Sequence, residues 1–189
     1  STPEAVNIEK SQSAVPDRYP EYPDHNRLES VYSVNDSGEK SLTTLIFPHN
    51  HLVTKPTFEK FSSEDFEGIK FTNSSVKDYL ISSENNRVEF DDSSYKGHLC
   101  WARKKDNKLL SFFVKSGTSF LDNGVGFEAD NPLTIYVNGT KGIVITEGAT
   151  LKLNGSALAG VNFDSNVTLK SSSGDHIEVV LEKGQYKFQ

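Results

Sequence analysis

Residues 108–188 decide the reading of this chain. They contain LLSFFVKSGTSF (109–120), PLTIYVNGTKGIVITEGATLKLNG (132–155) and NVTLKSSSGDHIEVVLEKGQYKF (166–188). Runs of Val, Ile, Leu, Phe, Tyr and Thr are interrupted every few residues by Gly, Asn, Asp or Ser. β-Branched and aromatic runs between such breakers are read as short strands. Asn123-Gly124, Asn138-Gly139 and Asn154-Gly155 are strong reversal signals, because tight hairpin turns need positive φ. The expected sequence is a meander with a turn every six to ten residues: strands at 109–115, 118–121, 125–128, 133–137, 142–146, 150–153, 161–163, 167–170, 177–181 and 186–188. The fold class expected is all-β, an antiparallel β-sandwich of jelly-roll-like form. A parallel β-helix is the competing architecture, but TIYVNG, LKLNG and VTLKSS are not linked by a fixed period.

Working outward toward the start, HLCWAR (98–103) is a strand joined to 109–115 by the solvated turn KKDNK. Residues 69–72, 76–82 and 87–90 are three modest strands, with Asn85-Asn86 as a hairpin turn and 91–94 as a loop. Residues 57–68 fit either a short helix or a polar connection. Strands are expected at 28–34 and 42–47, the latter ended by Pro48. Residues 1–27 carry Pro16, Pro20 and Pro23, and are expected to form an irregular Pro-rich arm. No composition break divides the rest, so 28–189 is expected to be a single β-sandwich domain.

The 189 residues suffice for a sizeable core, and 12 Phe and 7 Tyr make up for a hydrophobic fraction of 35%. A net charge of −6 argues against a basic nucleic-acid binder and against attraction to anionic membranes. No apolar run is long enough to cross a bilayer as a helix. The sequence begins at Ser1 and has no methionine, which leads to the expectation of a processed product or an excised piece. Five N-x-Ser/Thr sequons, at Asn35, Asn73, Asn138, Asn154 and Asn166, would be used only in a eukaryotic secreted protein.

Cys100 is the single cysteine. It excludes an internal disulfide and a cysteine metal cluster. It is read as a buried structural thiol, since His98 two residues away is not accompanied by a Gly-rich oxyanion turn. His49 and His51, at i and i+2, are the weak metal candidates, with His25, Asp24 or Glu64 as a third ligand. A polar loop at a sheet end is the preferred reading, ahead of a metal or a substrate contact, so neither a metal nor any other cofactor is expected. Asp91 and Asp92 lie near Tyr95, Lys96 and His98, and read as a charged loop before an acid–base pair. Arg103, Lys104, Lys105 and Lys108 form a basic cluster that suits an acidic sugar or a phosphate, or simply a soluble turn. Tyr19, Tyr22, Trp101 and Tyr136 supply aromatic faces. The candidate ligand-binding set is therefore Tyr19, Tyr22, Trp101, Arg103, Lys105 and Tyr136, with no catalytic residue. No Gly-rich phosphate loop, HExxH, GxSxG or EF-hand pattern is present.

The segments LTTLIFPH (42–49), CWARKKDNKLLSFFVKSGTSF (100–120) and FEADNPLTIYV (127–137) resemble the C-terminal β-sandwich region of heparinase II/III-like polysaccharide lyases. Ala102-Arg103 ahead of Gly117-Thr118-Ser119 resembles that family's strand-turn-strand. The resemblance implies a non-catalytic accessory domain of a secreted lyase acting on acidic glycans. It also implies a secreted, periplasmic or cell-surface location, with a glycan and an upstream helical domain or partner chain as partners. The family's catalytic Tyr and His and its metal ligands have no matching positions here. Other expectations stay open beside it: an independent carbohydrate-binding module; a small enzyme using two of His25, His49, His51 and His98 with a carboxylate; and a capsid, surface or adhesion domain with an assembly role.

Overall fold

In a computed structural model the chain is described for residues 6–13, 25–32 and 56–189, the first two as backbone only. It divides into two compact units, residues 1–48 and 49–189. In the first, β1 (Val6–Ser13) and β2 (His25–Tyr32) pair antiparallel, from Val6 opposite Tyr32 to Ser13 opposite His25. β1 thus falls within the arm expected to be irregular. The expected strand at 42–47, Tyr19, Tyr22, His49, His51 and the Asn35 sequon lie outside the described residues.

The second unit contains β3 (Thr57–Ser62), β4 (Phe66–Asn73), β5 (Val76–Ser83), β6 (Arg87–Phe90), β7 (Ser93–Lys96), β8 (Leu99–Lys105), β9 (Lys108–Asp122), β10 (Val125–Asn138), β11 (Lys141–Asn154), a one-turn helix α1 (Ser156–Ala159), β12 (Thr168–Ser172) and β13 (His176–Phe188). Residues 57–68 are therefore neither a short helix nor a connection; they hold β3, the turn after it and the start of β4. The expected 91–94 loop is the β6–β7 hairpin turn with the start of β7.

The expected β-sandwich and jelly roll are not formed. β3 to β13 belong to a single 11-stranded antiparallel sheet, in the order β12-β13-β11-β10-β9-β8-β5-β4-β3, with β7 joined to β9 and β6 to β7. A sandwich needs two separate sheets packed face to face. Here hydrogen bonding runs unbroken from β12 to β3, and these two edges do not pair with each other. The expectation failed because it took every Gly, Ser and Asn break for a reversal. Several are bulges inside long strands. The expected pairs 109–115 and 118–121, 125–128 and 133–137, 142–146 and 150–153, and 177–181 and 186–188 each merge into one strand of 13 to 15 residues.

The irregularities fall on neighbouring strands. Ile135 and Leu133, two apart, face Val114 and Gly117, three apart. One extra residue therefore sits in β9, with Ser116 at φ 50°, and a bulge of this kind bends its strand. Between β10 and β11 the register shifts from Ala129 opposite Leu151 to Leu133 opposite Thr146, with Gly148 at φ 118°. β9 serves two neighbours in consequence. Its first half pairs with β8 and its second half with β7. Gly117 sits where these two meet: a Cβ there would come within 2.6 Å of the Lys96 carbonyl oxygen.

Side-chain alternation then separates two faces. Ile81, Cys100, Val114, Ile135 and Val144 stand in direct cross-strand register on β5, β8, β9, β10 and β11, and none has any exposed surface. Phe112 stacks on Phe120 with ring centroids 4.5 Å apart, and Phe127 lies 6.1 Å from Phe112. Tyr79 meets Phe90 at 5.1 Å. The Tyr95 hydroxyl donates to the Ile81 carbonyl at 3.2 Å, and the Ser83 hydroxyl to the Gly97 carbonyl at 2.7 Å. Buried hydroxyls are thereby satisfied, as burial requires.

Candidate functional site

One residue along from the buried row, the same strands place a second row on the opposite face. Leu80, Trp101, Phe113, Tyr136, Ile143 and Lys187 stand in direct register on β5, β8, β9, β10, β11 and β13. Leu80 and Tyr136 are exposed at 39% and 38%, while Trp101, Phe113 and Ile143 are partly exposed. At a strand spacing of about 4.8 Å, Leu80 to Ile143 spans roughly 19 Å. A run of partly exposed apolar side chains of this length, with three aromatics at its centre, is an unusual use of a solvent face.

A polar row runs alongside: Asp78, Arg103, Ser111, Asn138 and Lys141, again in direct register. Arg103 grips Asp78 through two hydrogen bonds, Nε–Oδ1 at 2.7 Å and Nη2–Oδ2 at 2.8 Å. Its guanidinium carbon lies 5.4 Å from the Trp101 ring centre. The pairing with Asp78 holds the guanidinium above its already high ordinary value. Arg103 therefore fixes one side of Trp101 and offers a ligand less free charge than its position in the sequence suggests.

The apolar row runs into a cleft of about 530 Å³ at the β13 side, lined by Tyr136 and Ile143 from the row together with Asn138, Lys141, Phe163, Asp164 and Lys187. Its far wall is built by chain pairing. Phe163 bridges to Phe188, and the Asn162 and Gln189 backbones exchange hydrogen bonds at 2.9 and 3.0 Å. The Lys187 N–H donates to Asp164 Oδ1 at 3.0 Å. Asp164 is thus committed to the backbone of the wall. Among the described residues, Lys141 and Lys187 make no ion pair.

The structure treats the sequence candidates unequally. Trp101 and Tyr136 share the row, one strand apart on either side of Phe113. Arg103 flanks it, and Lys105 is exposed at the β8–β9 turn. Lys104 does not belong to a solvated basic cluster: its side chain is 3% exposed and its Nζ lies 2.5 Å from Asp122 Oδ1. Cys100 is fully buried, and burial pushes its thiol far up, whereas His98 is exposed. Asp91 accepts a hydrogen bond from the Tyr79 hydroxyl and lies 3.8 Å from Lys70 Nζ. Among the described residues no three His, Cys, Asp or Glu side chains gather as a metal site.

One exposed group looks like a hydrolytic triad. Ser173 Oγ and Asp175 Oδ1 both lie near His176 Nδ1, at 2.8 and 3.0 Å. Both use the same ring nitrogen, so the histidine cannot take a proton from the serine at one nitrogen while the aspartate orients it at the other.

Phe113, Ile143, Lys141 and Lys187 were not foreseen. The signal was available only in the pairing register: Phe112 and Phe113 are identical side chains, and which of them faces the core depends on where β9 bulges. No protein-family model matches the chain, and no curated protein matches it. The likeness to heparinase II/III-like lyases therefore rests on the quoted segments alone.

Proposed function

We propose that this chain is a non-catalytic binding domain that lays an extended acidic glycan along the outer face of its sheet, as an accessory to an enzyme that acts on that glycan. The observation that carries this reading is the registered row Trp101–Phe113–Tyr136 leading into a cleft with two lysines that make no ion pair among the described residues. Aromatic side chains offer broad apolar faces with polar tips, which suits stacking against sugar rings. Lys141 and Lys187 suit the carboxylate or sulfate of an acidic sugar. A secreted, periplasmic or cell-surface location belongs to the same proposal.

Titration of the chain with uronate-containing and neutral polysaccharides, followed by Trp101 fluorescence and by absorbance of unsaturated product, tests it. The expected result is saturable binding of the acidic glycans without product. Product formed by the chain alone, or no response to any glycan, overturns it. A protein partner on the same face is the second reading, favoured by the aliphatic members Leu80 and the neighbouring Ile145, which is 50% exposed.

A further inference from the structure

We propose that Lys104 and Asp122 join through an intramolecular isopeptide bond between the lysine Nζ and the aspartate Cγ. Lys104 stands near the end of β8 and Asp122 at the far end of β9, yet Nζ and Oδ1 are 2.5 Å apart and both side chains are 3% exposed. The surroundings are the Tyr79 ring, 5.8 Å from Nζ, and Ser93, whose hydroxyl donates to Asp122 Oδ1 at 2.7 Å. Beyond Tyr79 its hydroxyl is held by Asp91, and Lys70 lies over the same ring at 5.8 Å.

Two opposite charges taken out of water carry a desolvation cost that their attraction must repay. An amide removes both charges and keeps a polar group that the Ser93 hydroxyl can still reach. Holding amine and carboxyl in contact also supplies an effective concentration on the order of 10⁵ M or more.

The reaction balances within the pair. A proton passes from the ammonium to the carboxylate, leaving an amine and a carboxylic acid. The amine lone pair attacks Cγ; a C–N bond forms and the carbonyl π pair moves to oxygen. Collapse of this tetrahedral species breaks one C–O bond, and the departing hydroxyl takes the surplus proton from nitrogen. Ser93 Oγ, in contact with Oδ1, is placed to pass that proton. One amine and one acid give one secondary amide and one water, with no oxidant or reductant.

Mass spectrometry of the intact folded chain tests this. The expected mass is lower than the sequence requires by one water, with fragmentation placing the deficit in a branched species that joins the segments bearing Lys104 and Asp122. Asp122→Ala should have the mass of its sequence. Asp122→Asn should form the same amide with loss of ammonia. A wild-type chain at full sequence mass, or a deficit that maps to a cyclised Asp or Asn elsewhere, overturns the proposal.

Discussion

Phe112 and Phe120 are eight residues apart on one strand, yet their rings stack with centroids 4.5 Å apart and planes 20° from parallel. On a straight strand eight residues span about 26 Å. β9 must therefore double over at the Ser116 bulge, and the stacked pair is what this bend buries. Phe112→Ala removes the ring that contacts both Phe120 and Phe127, so it should cost about 3–5 kcal/mol. Phe113→Ala, on the outer face, should cost clearly less. Denaturant midpoints of the two variants check the contrast.

Gly126, the second residue of β10, has φ 150°, and a Cβ there would meet the Phe120 carbonyl oxygen at 1.9 Å. That neighbour is backbone in a paired strand and cannot swing aside. Gly126→Ala is expected to destabilise by about 3 kcal/mol or more. Gly139→Ala also carries the strain of positive φ, but nothing lies within 4 Å of its Cβ. Thermal unfolding should place Gly126→Ala well below Gly139→Ala.

Trp101 is the only tryptophan, so its emission reports the outer face without labelling. Trp101→Ala and Tyr136→Ala should each weaken glycan binding by about 2 kcal/mol. Tyr136→Ala should change stability by less than about 1 kcal/mol. Lys141→Ala with Lys187→Ala should abolish the preference for acidic over neutral chains. Calorimetric titration of the three variants, beside their unfolding curves, separates loss of contact from loss of fold.

Alkaline pH should loosen the chain. Burial pushes the Tyr95 phenol from its ordinary 10.0 up to about 12. Burial first, then the hydrogen bond and charge of Asp91, drive Tyr79 higher still, and burial alone raises Cys100 from 9.0. In all three the folded chain holds its proton more tightly than the unfolded chain does. The stabilisation is complete below about pH 8, where both states are protonated, and it drains away as pH rises through the ordinary values toward 12. Tyr95 alone should account for a loss on the order of 2–3 kcal/mol by pH 12. Urea midpoints taken from pH 8 to 11 should fall continuously. Tyrosinate absorbance should show Tyr79 and Tyr95 ionising only as the chain unfolds.

Local chemistry made the all-β character and most reversals readable. Asn85, Asp106, Asn123 and Gly139 all adopt positive φ at tight turns, as hairpin chemistry demands. Residues 87–90 were delimited to the residue, because Asn85-Asn86 and Asp91-Asp92 bracket a short alternating run. The long strands were not readable. Ser116-Gly117 and Glu147-Gly148 have the composition of turns and act as bulges, and only the neighbouring strand's register distinguishes the two. The sandwich expectation followed from that confusion. The site was half readable for the same reason: Trp101 and Tyr136 stand out as aromatics, while the partnership through Phe113 and the cleft lysines exists only once five strands are aligned. Lys104 was misread because its neighbours Arg103 and Lys105 are exposed, and strand alternation turns the residue between them inward.

An open sheet leaves two rows of backbone donors and acceptors at its margins, and such rows template growth by other chains. Here the branch through β7 adds a third, and all three margin strands are short: β3 has six residues, β12 five and β6 four. β3 carries Glu59 and Lys60, and β12 carries Lys170, which is held to Glu178 at 3.1 Å. Short, charged margins oppose intermolecular ladders. Neutralising Lys60 and Lys170 would therefore remove the positive charge from the β3 and β12 margins while leaving the core untouched.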